Sequence, residues 1–439
     1  MEKTEQQQSL AMNCPCAGAC KPQNIHGKPV VKSNTRILNT NSGFGKKGLC
    51  DGPTFTAGTS CVFTCIYCFV FSMLGKYRFV RDSLAQVKKS FQQAVIRRAD
   101  APARLRKELQ SHRSLSQQSL VIYGSPLVDV APTMELAQET IEICKVILEE
   151  TRWTIRLLSK SPLLIYVARG IPAQWKARVI FGISTGTLDD TIARAIEPDA
   201  PLVTKRLLAL RKLQTEGFRT FAMLCPVLPV ADRSKDQAAA NTVAAQAFAE
   251  KAAELIDFSR CEHVWAEPIN AKDKDLFNRV ISGVLKRAQT VSAEDSATLR
   301  KAADRLTVVQ NKALWEDYAR SLFLALAPIV PAGKLRFLQY VTKPTEGWWQ
   351  SQMPSGAMPL RRVRSKPAIT TSPASNSTAP APAPTPATPV LTPAKKAWVT
   401  MRQRYTPAQI SARAHQAAKK AHQTMRAKAA QAATVNTVN

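Results

Sequence analysis

Three cysteines stand within eight residues, in the run Cys61-Val62-Phe63-Thr64-Cys65-Ile66-Tyr67-Cys68. Thiolates four and three positions apart can wrap three corners of an iron–sulfur cubane, which normally takes four cysteines. A three-cysteine loop therefore leaves one iron open, and that iron can chelate a small ligand. Zinc sites more often show paired CxxC units or added histidine, and no histidine lies nearby. A zinc knuckle is the alternative for this run. Cys14, Cys16, Cys20 and Cys50 offer four more thiols. They could ligate a second metal, a further cluster or a zinc, although their spacing matches no metal signature. The other reading is a mobile segment with exposed thiols. Cys144, Cys225 and Cys261 stand alone in periodic, mostly apolar stretches and read as small buried hydrophobes.

The chain that must position the triplet has 439 residues, 45% of them hydrophobic. That is enough for two or three units and a sizeable core. No apolar run is long enough to span a membrane, and the polar start, Met1-Glu2-Lys3-Thr4-Glu5, lacks the apolar core of a secretory signal. The expected location is the cytoplasm, where ten cysteines argue for metal or redox chemistry rather than disulfides. Lys and Arg number 61 against 32 Asp and Glu, a net charge of +29. Such a balance favours a polyanionic partner, most often nucleic acid. No acidic residue follows Glu346, and 13 Lys or Arg lie from Arg361 onward, which leaves 29 − 13 = +16 for the rest.

Beyond residue 52 strand-like and helix-like segments alternate. Strands are predicted at 53–57, 119–123, 154–159, 179–184, 220–226 and 261–266. Helices are predicted at 133–150, 161–169, 204–216, 236–258 and 273–289. This alternation means βαβ units and a parallel sheet. The predicted fold is α/β, a partial (βα)6 barrel of the TIM type, with chemistry at the C-terminal ends of the strands. The triplet follows the first strand directly, on that face.

The predicted organisation has five parts: a Cys-rich segment (1–51), the barrel core (52–292), a helical extension (293–350), a linker (351–394) and a basic tail (395–439). Within the core, an insertion at about 69–118 is rich in Lys and Arg, among them Lys88, Lys89, Arg97, Arg98 and Arg104. It reads either as a solvated helical hairpin or as a basic lid beside the barrel mouth. The linker is rich in Pro, Ala, Thr and Ser and is expected to be disordered, extended and semi-rigid. The tail is rich in Ala and reads as basic helices on a tether, suited to phosphate backbones; a solvated tail without a specific partner is the rival.

CxxxCxxC with an aromatic before the last cysteine resembles the radical S-adenosylmethionine (SAM) superfamily. The resemblance implies that Cys61, Cys65 and Cys68 hold a 4Fe–4S cluster. The open iron would bind the amino and carboxylate groups of SAM, and Tyr67 would contact the adenine. An electron from the cluster would cleave SAM to methionine and a 5′-deoxyadenosyl radical, with an electron donor such as flavodoxin or ferredoxin. Tyr123-Gly124-Ser125-Pro126-Leu127-Val128-Asp129 falls where that superfamily binds the SAM amino group, so Gly124 and Ser125 are candidate SAM contacts. Leu158-Ser159-Lys160-Ser161 is similar to the Thr-Lys-Ser signature of the spore photoproduct lyase-like branch, in which the Lys contacts the SAM carboxylate. Ser184 matches a ribose-side polar residue. Ile196-Glu197-Pro198-Asp199-Ala200-Pro201, Arg206-Leu207, Gly217 and Pro226-Val227-Leu228-Pro229 continue the series of that branch, often labelled DNA repair photolyase.

One departure concerns the thiol. Spore photoproduct lyase returns a hydrogen atom from a cysteine just after the second strand, and this chain has Tyr123-Gly124-Ser125 there. Thymine-dimer repair by that route is therefore in doubt, and Tyr123 is the candidate donor in its place. Glu267 and Asn270 close the sixth strand and are expected at the barrel mouth, where they could read substrate; a strand-end turn with a capping Asn is the plainer reading. The expected function is reductive SAM cleavage by an enzyme of lyase-like or transferase type, acting on nucleic acid. Two alternatives stay open: a radical SAM enzyme modifying a protein or small molecule, and a nucleic-acid-binding protein whose cluster is structural.

Overall fold

The computed structural model describes residues 24–360 except 26, 60, 71–76, 91, 125, 271–273, 342 and 354–356. Cys14, Cys16, Cys20, Ser125, most of the expected linker and the whole basic tail lie outside the described residues. No described helix is long and apolar enough to cross a membrane.

Eight parallel strands form the sheet in the order of the sequence: β4 (Thr54–Phe55), β6 (Val121–Gly124), β7 (Thr154–Ser159), β8 (Val179–Thr185), β9 (Arg219–Val227), β10 (Cys261–Pro268), β11 (Leu335–Tyr340) and β12 (Ala357–Leu360). A short strand β3 (Leu38–Asn39) pairs antiparallel with β4 at one edge. Parallel neighbours need crossovers, and helices supply them: α4 (Met134–Glu150) after β6, α5 (Leu164–Gly170) after β7, and α6 (Asp190–Ile196) with α7 (Val203–Thr215) after β8. Next come α8 (Gln237–Leu255) after β9, then α9 (Lys274–Ala288), α10 (Ala293–Val308) and α11 (Lys312–Leu326) before β11. Side-chain caps start several of them: Thr133 accepts from the Leu136 N–H, Asp189 from Ile192 and Asp236 from Ala239, each satisfying a donor the first turn leaves orphaned.

Alternation along the strands creates two cores. Ile155, Leu157, Phe181, Ile183, Ala222 and Leu224 face the helix layer and pack with Ile141, Ile147, Leu207 and Leu210. The intervening residues Tyr123, Ile180, Phe221, Met223, Trp265 and Leu338 face the other side of the sheet, where they meet Leu49 and Cys50. A strand buried on both faces reads as a continuous apolar run, and all seven residues of β8 are buried. The inner face is filled from the N-terminal segment. A 3₁₀ turn at Gly43–Lys47 brings Leu49 onto Arg156, whose guanidinium donates to the Leu49 carbonyl. That guanidinium also lies 4.9 Å from the Trp265 ring and 5.7 Å from Phe221.

Four expectations need correction. The sheet does not stop at six strands: β11 falls in the stretch read as a helical extension, and β12 in the stretch read as a disordered linker. Both are short and carry little alternation, so pairing along the sheet edge, β11 on β10 and β12 on β11, rather than local pattern makes them strands. Among the described residues the sheet is open, with β3 and β12 at its two edges. The basic insertion is not wholly a helical hairpin. It holds α1 (Arg78–Gln86), α2 (Ala101–Gln110) and α3 (Arg113–Ser116), and also a strand β5 (Val95–Arg98). With β1 (Asn24–Ile25) and β2 (Lys28–Ser33) of the N-terminal segment, β5 forms a second sheet. Arg97 and Arg98 are consequently buried rather than solvated. Arg97 pairs with Glu139, and Arg98 donates to Thr59 Oγ1 and the Arg36 carbonyl.

Candidate functional site

The cysteine loop leaves the C-terminal end of β4 and is pinned by the segment after α6. The Ile66 N–H donates to the Ile196 carbonyl (2.9 Å), and Thr64 Oγ1 donates to Asp199 Oδ2 (2.7 Å). Lys28 Nζ reaches both the Val62 carbonyl (2.5 Å) and Asp199 (3.2 Å). Inside the loop, the Cys68 N–H closes a turn on the Cys65 carbonyl at 3.1 Å. Gly283 of α9 permits close approach, because a Cβ there would lie 2.6 Å from Ile66 Cδ1.

None of the three cysteines forms a disulfide. Burial pushes Cys61 up to about 12, with the Asp129 carboxylate adding to the shift. Burial raises Cys65 well above the usual thiol range, with the charge of Glu197 adding to it and that of Lys160 opposing it. Cys65 also feels the charges of Cys61 and Cys68, so the three sulfurs share one neighbourhood. Among the described residues no three His, Cys, Asp or Glu side chains converge as ligands of a single metal ion. The donor set fits an iron–sulfur cluster. Three sulfur ligands come from one loop and feel one another's charge, and binding to iron would supply the positive charge that a buried thiolate lacks.

Beside the loop lies a buried ionic knot. Glu197, 1% exposed, sits between Lys160 Nζ (3.1 Å) and Arg206 Nη2 (2.5 Å) and also accepts from the Tyr67 hydroxyl. Burial works against a charged Glu197, but Lys160 and Arg206 outweigh it and hold the carboxyl below its usual range. Lys160 Nζ also donates to Ser184 Oγ (3.0 Å) and lies 5.6 Å from the centre of the Tyr67 ring. Arg206 donates from Nε to the Pro201 carbonyl at 2.6 Å. Tyr67, Lys160 and Ser184, read from the sequence as SAM contacts, thus come together at the ends of β4, β7 and β8.

Asp129 is a second link. It accepts from Ser159 Oγ and the Lys160 N–H, both at 2.7 Å, while its own N–H points at Cys61 Sγ, 3.4 Å away. Burial raises its pKa despite those donors. Gly124 lies where a Cβ would meet Leu157 Cδ2 at 2.6 Å and Phe55 at 2.7 Å, so packing alone demands a glycine there.

Tyr123 faces the interior, 4% exposed, with its ring 5.4 Å from that of Phe44. Burial pushes its phenol upward. Glu267 points into the same space and pairs with Lys47 at 3.1 Å. Burial lowers the Lys47 pKa, yet the charges of Glu267 and Cys225 more than reverse this, and it ends raised. Cys225 does not behave as a plain buried hydrophobe. It is half-buried, and its thiol donates to Glu267 Oε2 at 3.4 Å. Cys144 and Cys261 are buried as expected, and Cys50 is buried beside Arg156. Asn270 follows β10, half-buried.

Glu197, Asp129, Arg206, Cys225 and Lys47 were not singled out as site residues, whereas Glu267, which Cys225 and Lys47 contact, was. Glu197 and Asp129 stood inside motifs quoted for other residues. Lys47 carried no signal, since its partner lies 220 positions away.

No protein-family model matches this chain. An uncharacterized protein of Acidianus two-tailed virus, ORF301, is 23% identical over 201 residues, which make up 46% of this chain. The match covers 64% of the viral protein, so this chain spans less than two thirds of that relative's length. Among solved structures, a Tyr-to-Phe variant of spore photoproduct lyase is similar over 71% of this chain and 82% of the other, at 13% identity and a TM-score of 0.44. Another variant of that enzyme, with AdoMet and dinucleoside spore photoproduct bound, covers the same shares at 14% identity and 0.42. The radical S-adenosylmethionine methyltransferase TsrM from Kitasatospora setae covers 64% of this chain and 53% of its own, at 8% identity and 0.35.

Proposed function

We propose that this chain is a radical SAM iron–sulfur enzyme of the spore photoproduct lyase-like kind, acting on nucleic acid. The observation that carries the reading is one juxtaposition. A loop with three cysteines outside any disulfide, at the end of β4, lies against Lys160 and Ser184 at the ends of β7 and β8, joined through Glu197. Cys61, Cys65 and Cys68 would hold the cluster. When bound, the cluster would supply the electron that cleaves SAM.

This chain's own residues do the rest. Lys160 offers an ammonium, steadied by Glu197 and Ser184, to the SAM carboxylate. Tyr67 is held by Glu197 with its ring beside that ammonium. Asp129 fixes the Lys160 backbone and the Cys61 side of the loop together. Tyr123, Cys225 and Glu267 line the interior beyond, where substrate would enter. The net charge of +29 supports a polyanionic substrate. The test is anaerobic reconstitution of the full chain with iron, sulfide, SAM and a low-potential reductant. Formation of 5′-deoxyadenosine is expected, with a mass change in a DNA or RNA pool. Absence of 5′-deoxyadenosine from iron-loaded protein would sink the enzyme reading, and a mass change confined to protein or small-molecule pools would sink the nucleic-acid target.

A further inference from the structure

The surface beside the cysteine loop combines two features. The first is exposed aromatic area. Phe69, immediately after Cys68, is 51% exposed, and Tyr77, at the start of α1, is 53% exposed. The second is an excess of positive charge. Val80 and Leu84 of α1 are buried in one cluster with Val70, against Cys68 and Phe79. That anchoring leaves Arg78 and Arg81 on the outer side of the helix, exposed, with exposed Lys88 and Lys89 in the turn beyond it. Asp82 is the acidic residue of this helix and pairs with Arg78 at 3.4 Å in the open, a contact of little net value. Two exposed rings and four cations thus flank one small core.

The rings also lead somewhere. Phe69 lies 6.4 Å from Phe44, and Phe44 lies 5.4 Å from Tyr123, centroid to centroid. Exposure falls along the series, from the half-exposed Phe69 through half-buried Phe44 to buried Tyr123. A flat group stacked on Phe69 would therefore stand at the entrance to the inner face, where Tyr123, Cys225 and Glu267 meet.

From this we infer that the face carrying the Phe69 and Tyr77 rings binds single-stranded or locally unpaired nucleic acid, stacking a base on Phe69 while Arg78, Arg81, Lys88 and Lys89 hold the neighbouring phosphates. The inference deepens the nucleic-acid reading above and rests on it. Aromatic platforms beside cations are how unpaired strands are gripped without sequence preference. A base in intact duplex has both faces covered and cannot stack on a protein ring unless extruded.

The test uses the full chain and a fluorescein-labelled oligothymidylate, titrated by anisotropy at several salt concentrations. Phe69→Ala is expected to weaken binding about tenfold and leave the salt slope unchanged, because stacking releases no counterions, while Phe69→Trp keeps the affinity. The Arg78→Ala/Arg81→Ala pair is expected to make the slope shallower by up to ~1.4, at ~0.7 per single-strand phosphate. Photocrosslinking to a strand carrying 5-iodouracil is expected to mark the peptide containing Phe69 or Tyr77, a readout that charge elsewhere in the chain does not mask. Phe69 adjoins Cys68, so iron content is measured alongside. If Phe69→Ala loses iron, Tyr77→Ala decides by the same anisotropy criterion. Affinity within twofold of the parent for both alanine variants, or crosslinks confined to other peptides, overturns the inference. SAM cleavage by the parent chain is assayed in parallel. Cleavage without oligothymidylate binding removes this surface and keeps the radical SAM reading. Binding that depends on Phe69, with no SAM cleavage, does the reverse.

Discussion

Glu197→Gln keeps the shape of the side chain and removes its charge. In the folded chain that charge is shared by Arg206, with 1% of its side chain exposed, and Lys160, with 14%. Neither cation gains much from water in exchange. Arg206 keeps the Pro201 and Ser184 carbonyls as acceptors, but no carboxylate. Removing one partner of a buried ion pair costs about 3–5 kcal/mol, because the other charge is left stranded. At about 2 °C per kcal/mol for a unit of this size, the melting temperature should fall by about 6–10 °C. Calorimetry on the metal-free chain reads this directly. Tyr67, in the cysteine loop, loses its charged acceptor in the same variant, so less iron should be retained after reconstitution and desalting. A double-mutant cycle isolates the cause. Arg206→Met removes the stranded charge, so Glu197→Gln/Arg206→Met should be more stable than the sum of the single losses predicts, by about 1–3 kcal/mol. A melting temperature within 1 °C of the parent, or strict additivity in the cycle, would refute the reasoning.

Cys65→Ala should abolish 5′-deoxyadenosine formation, and full activity in that variant would exclude the cluster assignment. Lys160→Ala should weaken SAM binding while the cluster's absorption spectrum persists; unchanged affinity in equilibrium dialysis would show that the Lys160 match is misplaced. His263 is held down to about 4, first by burial and then by the charges of Arg336, Arg156 and Lys334. The unfolded chain binds this proton from about pH 6.5 downward, so His263 should destabilise the fold as pH falls from about 6.5 to 4 and have no effect above that window. His263→Gln should flatten the melting temperature over that window alone, and identical pH profiles would contradict the assignment. Removing residues 361–439 deletes 13 positive charges and ends the chain just after β12. The truncated chain should still load iron and cleave SAM, and its plot of log affinity for nucleic acid against log salt should be shallower; equal slopes would mean that the tail touches no phosphate.

The cysteine spacing, the alternation of strands and helices and the charge excess could all be read along the chain, because each is a local property. Thiols three and four apart share a loop whatever surrounds them, and the periods of strand and helix survive in one dimension. Thus β7 and β10 begin at the predicted residues, and α4 and α7 lie within one position of theirs. Long-range partners were not legible in this way. Arg97 and Arg98 look like surface charges until Glu139 and the Thr59 hydroxyl are seen beside them. β11 and β12 are strands because a parallel edge was open to pair with. Lys47, Cys225 and Glu267 meet only because the N-terminal segment folds over the inner face of the sheet. Lys160 and Glu197 stood in separate motifs, and it is the adjacency of β7 and β8 that turns two motifs into one ionic knot. Sheet order and side-chain facing depend on register across strands, and burial energies summed over the whole domain fix that register.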